Sequence, residues 1–121
     1  MSIVRLSTTG LQKLLSGKVS EPATCVVKFY SNSCHLCHNL KDYYLEIAEE
    51  EKYSDLHFFA FNIDDYPSIE KQMKFNGVPT ISLIKTGQSK PKVRILQDPE
   101  EPNEQTWYRT RDIKEFIEKE K

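Results

Sequence analysis

Cys34 and Cys37 are the residues of this 121-residue sequence whose type and spacing most directly promise chemistry. In Cys34-His35-Leu36-Cys37 the two thiols stand three apart, so a helix makes them neighbours on one face, close enough for their sulfurs to bond after small adjustments. The polar run Ser31-Asn32-Ser33 precedes the pair, and Leu36, Leu40, Tyr43, Tyr44 and Ile47 follow at helical spacing. The pair therefore sits where a helix begins, and there unpaired backbone N–H groups and the positive end of the helix dipole favour a thiolate. Lowering a cysteine pKa from ~8.5 to ~7 raises the reactive fraction at neutral pH from a few per cent to roughly half. Cys34, at the very start, is the expected nucleophile, and Cys37, one turn deeper, the expected resolving thiol. His35 either adds positive charge near Cys34 or is simply solvated.

Two other chemistries use similar residues. Cys34-His35-Leu36-Cys37-His38 also fits covalent haem attachment, but a c-type haem protein needs export and a second axial ligand. The start of the chain, Met1-Ser2-Ile3-Val4-Arg5-Leu6, lacks the apolar stretch of a secretory signal, and Met73 is the one internal methionine. Zinc could take Cys34, Cys37 and a histidine, yet a structural site wants a second close ligand pair, and His57 stands alone within an apolar run. His38 reads more simply as a helix-surface residue, so neither a metal nor another cofactor is expected.

Around the pair, alternating or continuous apolar runs mark the elements that must position it. Residues 3–6 suit a short strand, and Ser7 or Thr8 can cap a helix through Leu11, Leu14 and Leu15 that stops near Gly17. Residues 23–30 are β-branched and aromatic, the pattern of a central strand covered on both faces. Residues 56–63 form a second such run, and the intervening helix implies a parallel crossover beside the first. A short helix is expected over 67–75, stopped by Asn76-Gly77. Residues 80–85 and 92–96, joined by Thr86-Gly87-Gln88-Ser89, read as an antiparallel hairpin, and 112–119 as a closing helix with Ile113, Phe116 and Ile117 inward. The only linker-like stretch is 97–106.

The length suits one domain spanning 1–121, able to bury a core without staples. Seventeen Lys and Arg nearly balance eighteen Asp and Glu, which argues against a nucleic-acid binder, and no segment approaches membrane-spanning length. Three cysteines are an odd, low count that argues against a secreted disulfide framework and for a cytoplasmic protein. Cys25, in the central strand, is expected to be a buried, inert thiol.

Together the strand over 26–30, the CxxC of Cys34 and Cys37, Asn62-Ile63-Asp64 and Gly77-Val78-Pro79-Thr80 resemble the thioredoxin family. The resemblance runs from Val26 to Leu96 and takes in the last helix. It implies an α/β thioredoxin fold, a central mixed β-sheet with helices on both faces. It implies a monomeric protein-disulfide reductase acting on disulfide-containing proteins and recharged by a thioredoxin reductase. Pro79 would then be cis and lie against the disulfide, and Val78 would offer backbone hydrogen bonds to substrate, with His35 and Leu36 as further candidate substrate contacts. A thioredoxin-like binding module fits less well because the cysteine pair is retained. A glutaredoxin-like enzyme fits less well because the N-terminal strand and helix and Asn62-Ile63-Asp64 look like thioredoxin.

Three departures stand out. The family usually has Trp-Cys-Gly-Pro-Cys, whereas Ser33 precedes Cys34 here and His35-Leu36 separate the cysteines. The family's buried acid, thought to help deprotonate the resolving thiol, aligns with Lys28. That lysine could serve as a neutral buried base, but a side chain snorkelling to solvent is the simpler expectation. Lastly, 97–110 holds Asp98, Pro99, Glu100, Glu101 and Pro102 before the only tryptophan. Trp107 and Tyr108 are expected to pack the last helix onto the sheet rather than meet a partner.

Overall fold

The computed structural model describes residues 3–121; Met1 and Ser2, the first residues of the expected domain, lie outside the described residues. Five strands form one mixed sheet: β1 (Ile3–Arg5), β2 (Thr24–Tyr30), β3 (His57–Asn62), β4 (Thr80–Lys85) and β5 (Lys92–Ile95), in the order β1-β3-β2-β4-β5. β2 is central, as its unbroken apolar character demands. It pairs parallel with β3, Val27 opposite Phe59, and antiparallel with β4, Val27 opposite Ser82. The parallel connection from β2 to β3 is made by the helix that begins at the cysteines.

The helices are α1 (Thr8–Leu15), α2 (His35–Ala48), α3 (Ile69–Met73) and α4 (Thr110–Glu120). Strand pleating sorts the core into two layers, because alternate side chains point to opposite faces. Val26, Phe58, Ile81 and Leu83 meet Leu40, Tyr44 and Ile47 of α2 and Ile113, Phe116 and Ile117 of α4. On the other face Cys25, Val27, Phe29, Phe61 and Ile84 meet Leu11 of α1 and Ile69 and Met73 of α3. This alternation has a consequence for the site: Lys28 shares the face of Val26, so it points toward α2.

Ser7 caps α1, its Oγ accepting from Gly10 N at 2.9 Å. The third helix is shorter than the expected 67–75. It ends at Lys74, which takes a left-handed conformation at φ 63°, and Phe75 turns back so that its ring lies 4.8 Å from that of Phe29. Burying that ring ends the helix before Asn76-Gly77 is reached. The stretch before α4 is an ordered turn closed by paired backbone hydrogen bonds between Asn103 and Trp107. Tyr108 is buried and Trp107 packs against the same α2–α4 core, as expected.

Candidate active site

Cys34 occupies the N-cap of α2 in an extended conformation, and its Sγ accepts a hydrogen bond from Cys37 N at 3.0 Å. A sulfur accepting a helix-terminal N–H is stabilised as a thiolate by the same contact. Cys34 and Cys37 form a disulfide with their Cα atoms 5.2 Å apart. Cys34 is half-buried, whereas Cys37 is 3% exposed. Cys34 is thus the sulfur nearer solvent, and Cys37 is enclosed.

The turn that presents Cys34 is held from β3. Asn62 Nδ2 donates to Asn32 Oδ1 at 2.9 Å, and Asn32 N donates to the Asp64 carboxylate at 3.0 Å. The motif Asn62-Ile63-Asp64 therefore splints the loop before Cys34, a role its position in the sequence did not reveal. His38 also belongs to this splint, its Nε2 lying 3.0 Å from Asn32 O.

Opposite, the Val78–Pro79 peptide is cis and Pro79 is buried. The Val78 carbonyl lies 3.7 Å from Cys34 Sγ. This turn is anchored on both sides: Thr80 Oγ1 donates to Gly77 O at 2.7 Å, and Gly77 N donates to the Glu70 carboxylate at 2.6 Å. Gly77 has φ +90°, which a side chain would strain. Glu70 carried no signal in the sequence, because its acceptor role depends on where α3 docks.

A family model described as Thioredoxin matches residues 8–107. The chain belongs to the thioredoxin family. A curated thioredoxin from Acidithiobacillus ferridurans is 37% identical over 71 residues, 58% of this chain and 62% of that protein. The chain thus spans less than two thirds of that curated relative's length. Among solved structures, oxidised mitochondrial thioredoxin 3 of Saccharomyces cerevisiae is 26% identical with a TM-score of 0.57, covering 72% of this chain and 77% of that one. The J-Trx1 fragment of ERdj5 covers 98% of this chain and 49% of its own at a TM-score of 0.66, and at 18% identity it shows the thioredoxin fold alone.

Of the residues singled out in the sequence, the structure gathers Cys34, Cys37, Val78 and Pro79 at one end of the sheet. Leu36 is half-buried beside them. His35 is exposed and leans toward Asn39, whose Nδ2 is 3.4 Å from the imidazole and donates to Gln105 O at 2.8 Å. It faces the turn before α4, and among the described residues no hydrogen bond joins it to the Cys34 sulfur.

Lys28 corrects one expectation. Instead of snorkelling to solvent it is only 6% exposed, because both sheet neighbours and α2 cover its stem. Its Nζ lies 5.2 Å from the Tyr44 ring centre and 5.6 Å from that of Tyr30. Burial, with a smaller push from Lys41, pulls its pKa down to about 8. Lys28 and Cys37 line the same cavity. Cys25, by contrast, is free and buried among the α1-side core, with its thiol pushed up to about 11 by burial. Among the described residues no cluster of three His, Cys, Asp or Glu could hold a metal.

Proposed function

We propose that this thioredoxin-family protein reduces disulfides of protein substrates in the cytoplasm. The observation that carries the reading is Cys34 at the N-cap of α2, capped by Cys37 N–H, joined to a buried Cys37 and facing the Val78 carbonyl. The Cys34 thiolate attacks one sulfur of a substrate disulfide, forming a mixed disulfide and releasing the other sulfur as a thiolate. Cys37, as thiolate, then attacks Cys34 Sγ, and the second substrate sulfur leaves. Two electrons pass from the protein dithiol to the substrate, and the two released thiolates take up the protons given by Cys34 and Cys37.

Val78 and Pro79 line the side of the nucleophile where an extended substrate segment would lie, with the Val78 backbone as its hydrogen-bonding partner. Lys28 is the group beside Cys37 able to exchange a proton near neutral pH, replacing the family's acid. Recharging needs a dithiol donor, for which a thioredoxin reductase is the family's partner, and the reading is of a protein acting as a monomer.

Cys34→Ser should abolish turnover of a disulfide substrate such as insulin, while Cys37→Ser should accumulate mixed disulfides visible on non-reducing gels. Full reductase activity in the Cys34→Ser protein would overturn the assignment.

A further inference from the structure

Lys28 is a charged group for which the fold supplies no counter-ion. It lies more than nine-tenths buried, and among the described residues no hydrogen bond or ion pair reaches its Nζ; the charge felt there is that of Lys41, of like sign. Two tyrosine rings offer partial compensation. The stem is covered while Nζ keeps contact with solvent at the cavity, so water or an anion must complete the shell of this charge.

The ammonium faces a cavity of about 680 Å³ that is bounded by β1 and β2 on one side and α2 on the other. Cys37, Lys41, Leu45 and Glu49 recur one turn apart along the cavity face of α2. Ile3, Tyr30 and Leu45 make much of the wall apolar. The other charged groups there are committed or remote. Arg5 pairs with Asp65 at 3.0 Å, His38 is held against Asn32 O, and Glu49 lies about two turns along α2 from Lys41. Among the described residues, Lys28 and the solvent-exposed Lys41 remain as cations without a carboxylate.

A bare inorganic anion would answer Lys28 but leave the apolar walls wet, and a neutral hydrocarbon would cover the walls but leave the ammonium unpaired. We propose that this cavity binds a small amphiphilic monocarboxylate, its carboxylate between Lys28 and Lys41 and its apolar body against Ile3, Tyr30 and Leu45. A ligand of about eight carbons fits within the cavity and fills only part of it. The site is independent of the reductase reading, since binding is measured on the oxidised protein without turnover.

The test is an NMR titration of isotope-labelled oxidised protein with sodium octanoate near neutral pH, with octanamide and inorganic phosphate as controls. Octanoate should saturate one site, shifting resonances of Ile3, Tyr30, Cys37 and Leu45. Octanamide should bind about tenfold more weakly or worse, and Lys28→Met should weaken octanoate by a similar factor, since a charged hydrogen bond is lost in each case. Leu45→Glu, at a helix-surface position that tolerates charge, should weaken octanoate while the fold stays intact. The proposal fails if octanoate does not saturate below about 10 mM, or if octanamide binds as tightly. Unchanged affinity in both variants also overturns it. Equal binding of phosphate at the same resonances would reassign the cavity to a bare anion.

Discussion

The two active-site cysteines share one helical turn yet stand in different surroundings. Cys34 meets solvent and accepts a backbone N–H, while Cys37 is enclosed and lines the same cavity as Lys28. Lys28 makes a stability prediction with a definite sign. Its pKa falls from 10.5 in the unfolded chain to about 8 in the native protein, a cost on the order of 3 kcal/mol while both states are protonated. Below pH 8 that cost is fully present. Between about 8 and 10.5 the native state sheds the proton while the unfolded state keeps it, so the cost fades as pH rises. Lys28→Met should therefore be more stable than the parent at pH 7, and the gap should shrink toward pH 10. Urea unfolding of both oxidised proteins at the two pH values checks this, and a gap that is constant or widens would contradict the burial account. The same variant bears on catalysis: if Lys28 exchanges a proton with Cys37, release of mixed disulfides should slow and lose its pH dependence near 8.

At the scale of elements, Cys34 is only as well placed as α2 is docked. Tyr44 performs much of that docking, its hydroxyl donating within reach of Val26 O at 3.1 Å and Phe59 O at 2.7 Å, one carbonyl on each of two neighbouring strands. Tyr44→Phe removes the donor and leaves buried carbonyls short of a partner, at a cost of about 1–2 kcal/mol. Thermal or urea unfolding measures it, and an unchanged midpoint would show that the carbonyls are satisfied by the sheet alone. Hydrophobic spacing named Tyr43 and Tyr44 alike from sequence, and the structure buries Tyr44 while leaving Tyr43 exposed. The Tyr44 hydroxyl contacts were not legible, because they join strands far apart along the chain.

For the molecule as a whole, the core separates three thiols into two reactive sulfurs and one inert one. Cys25 is 2% exposed and sits among α1-side residues, on the opposite face of the sheet from α2. Brief alkylation of the reduced native protein should label Cys34 and slowly Cys37, with Cys25 labelled only in denaturant, as mass spectrometry of the peptides will show. Rapid native labelling of Cys25 would mean that this face of the sheet opens locally. In a redox titration, a single two-electron transition assigned to Cys34 and Cys37 should then account for the titrating thiols. A potential near ~−270 mV marks a reductant of thioredoxin type and one near ~−180 mV an oxidase or isomerase.

Local chemistry was enough to determine the strand-to-helix position of the cysteine pair, the central place of β2 and the proline-led entry to β4. Each follows from nearest-neighbour effects: apolar periodicity, a capping residue, a dipole that acts within one turn, an imino acid without an N–H. Tertiary structure alone decided what surrounds those groups. The solvation of Lys28 depends on whether α2 closes over β2, the Glu70 contact to Gly77 on how α3 lies against the sheet, and the Asn32–Asn62 splint on a parallel pairing that brings distant segments together. Burial and hydrogen-bond partnership are properties of the folded packing, and a lysine read as solvent-facing became, once packed, the cation at the floor of a cavity beside Cys37.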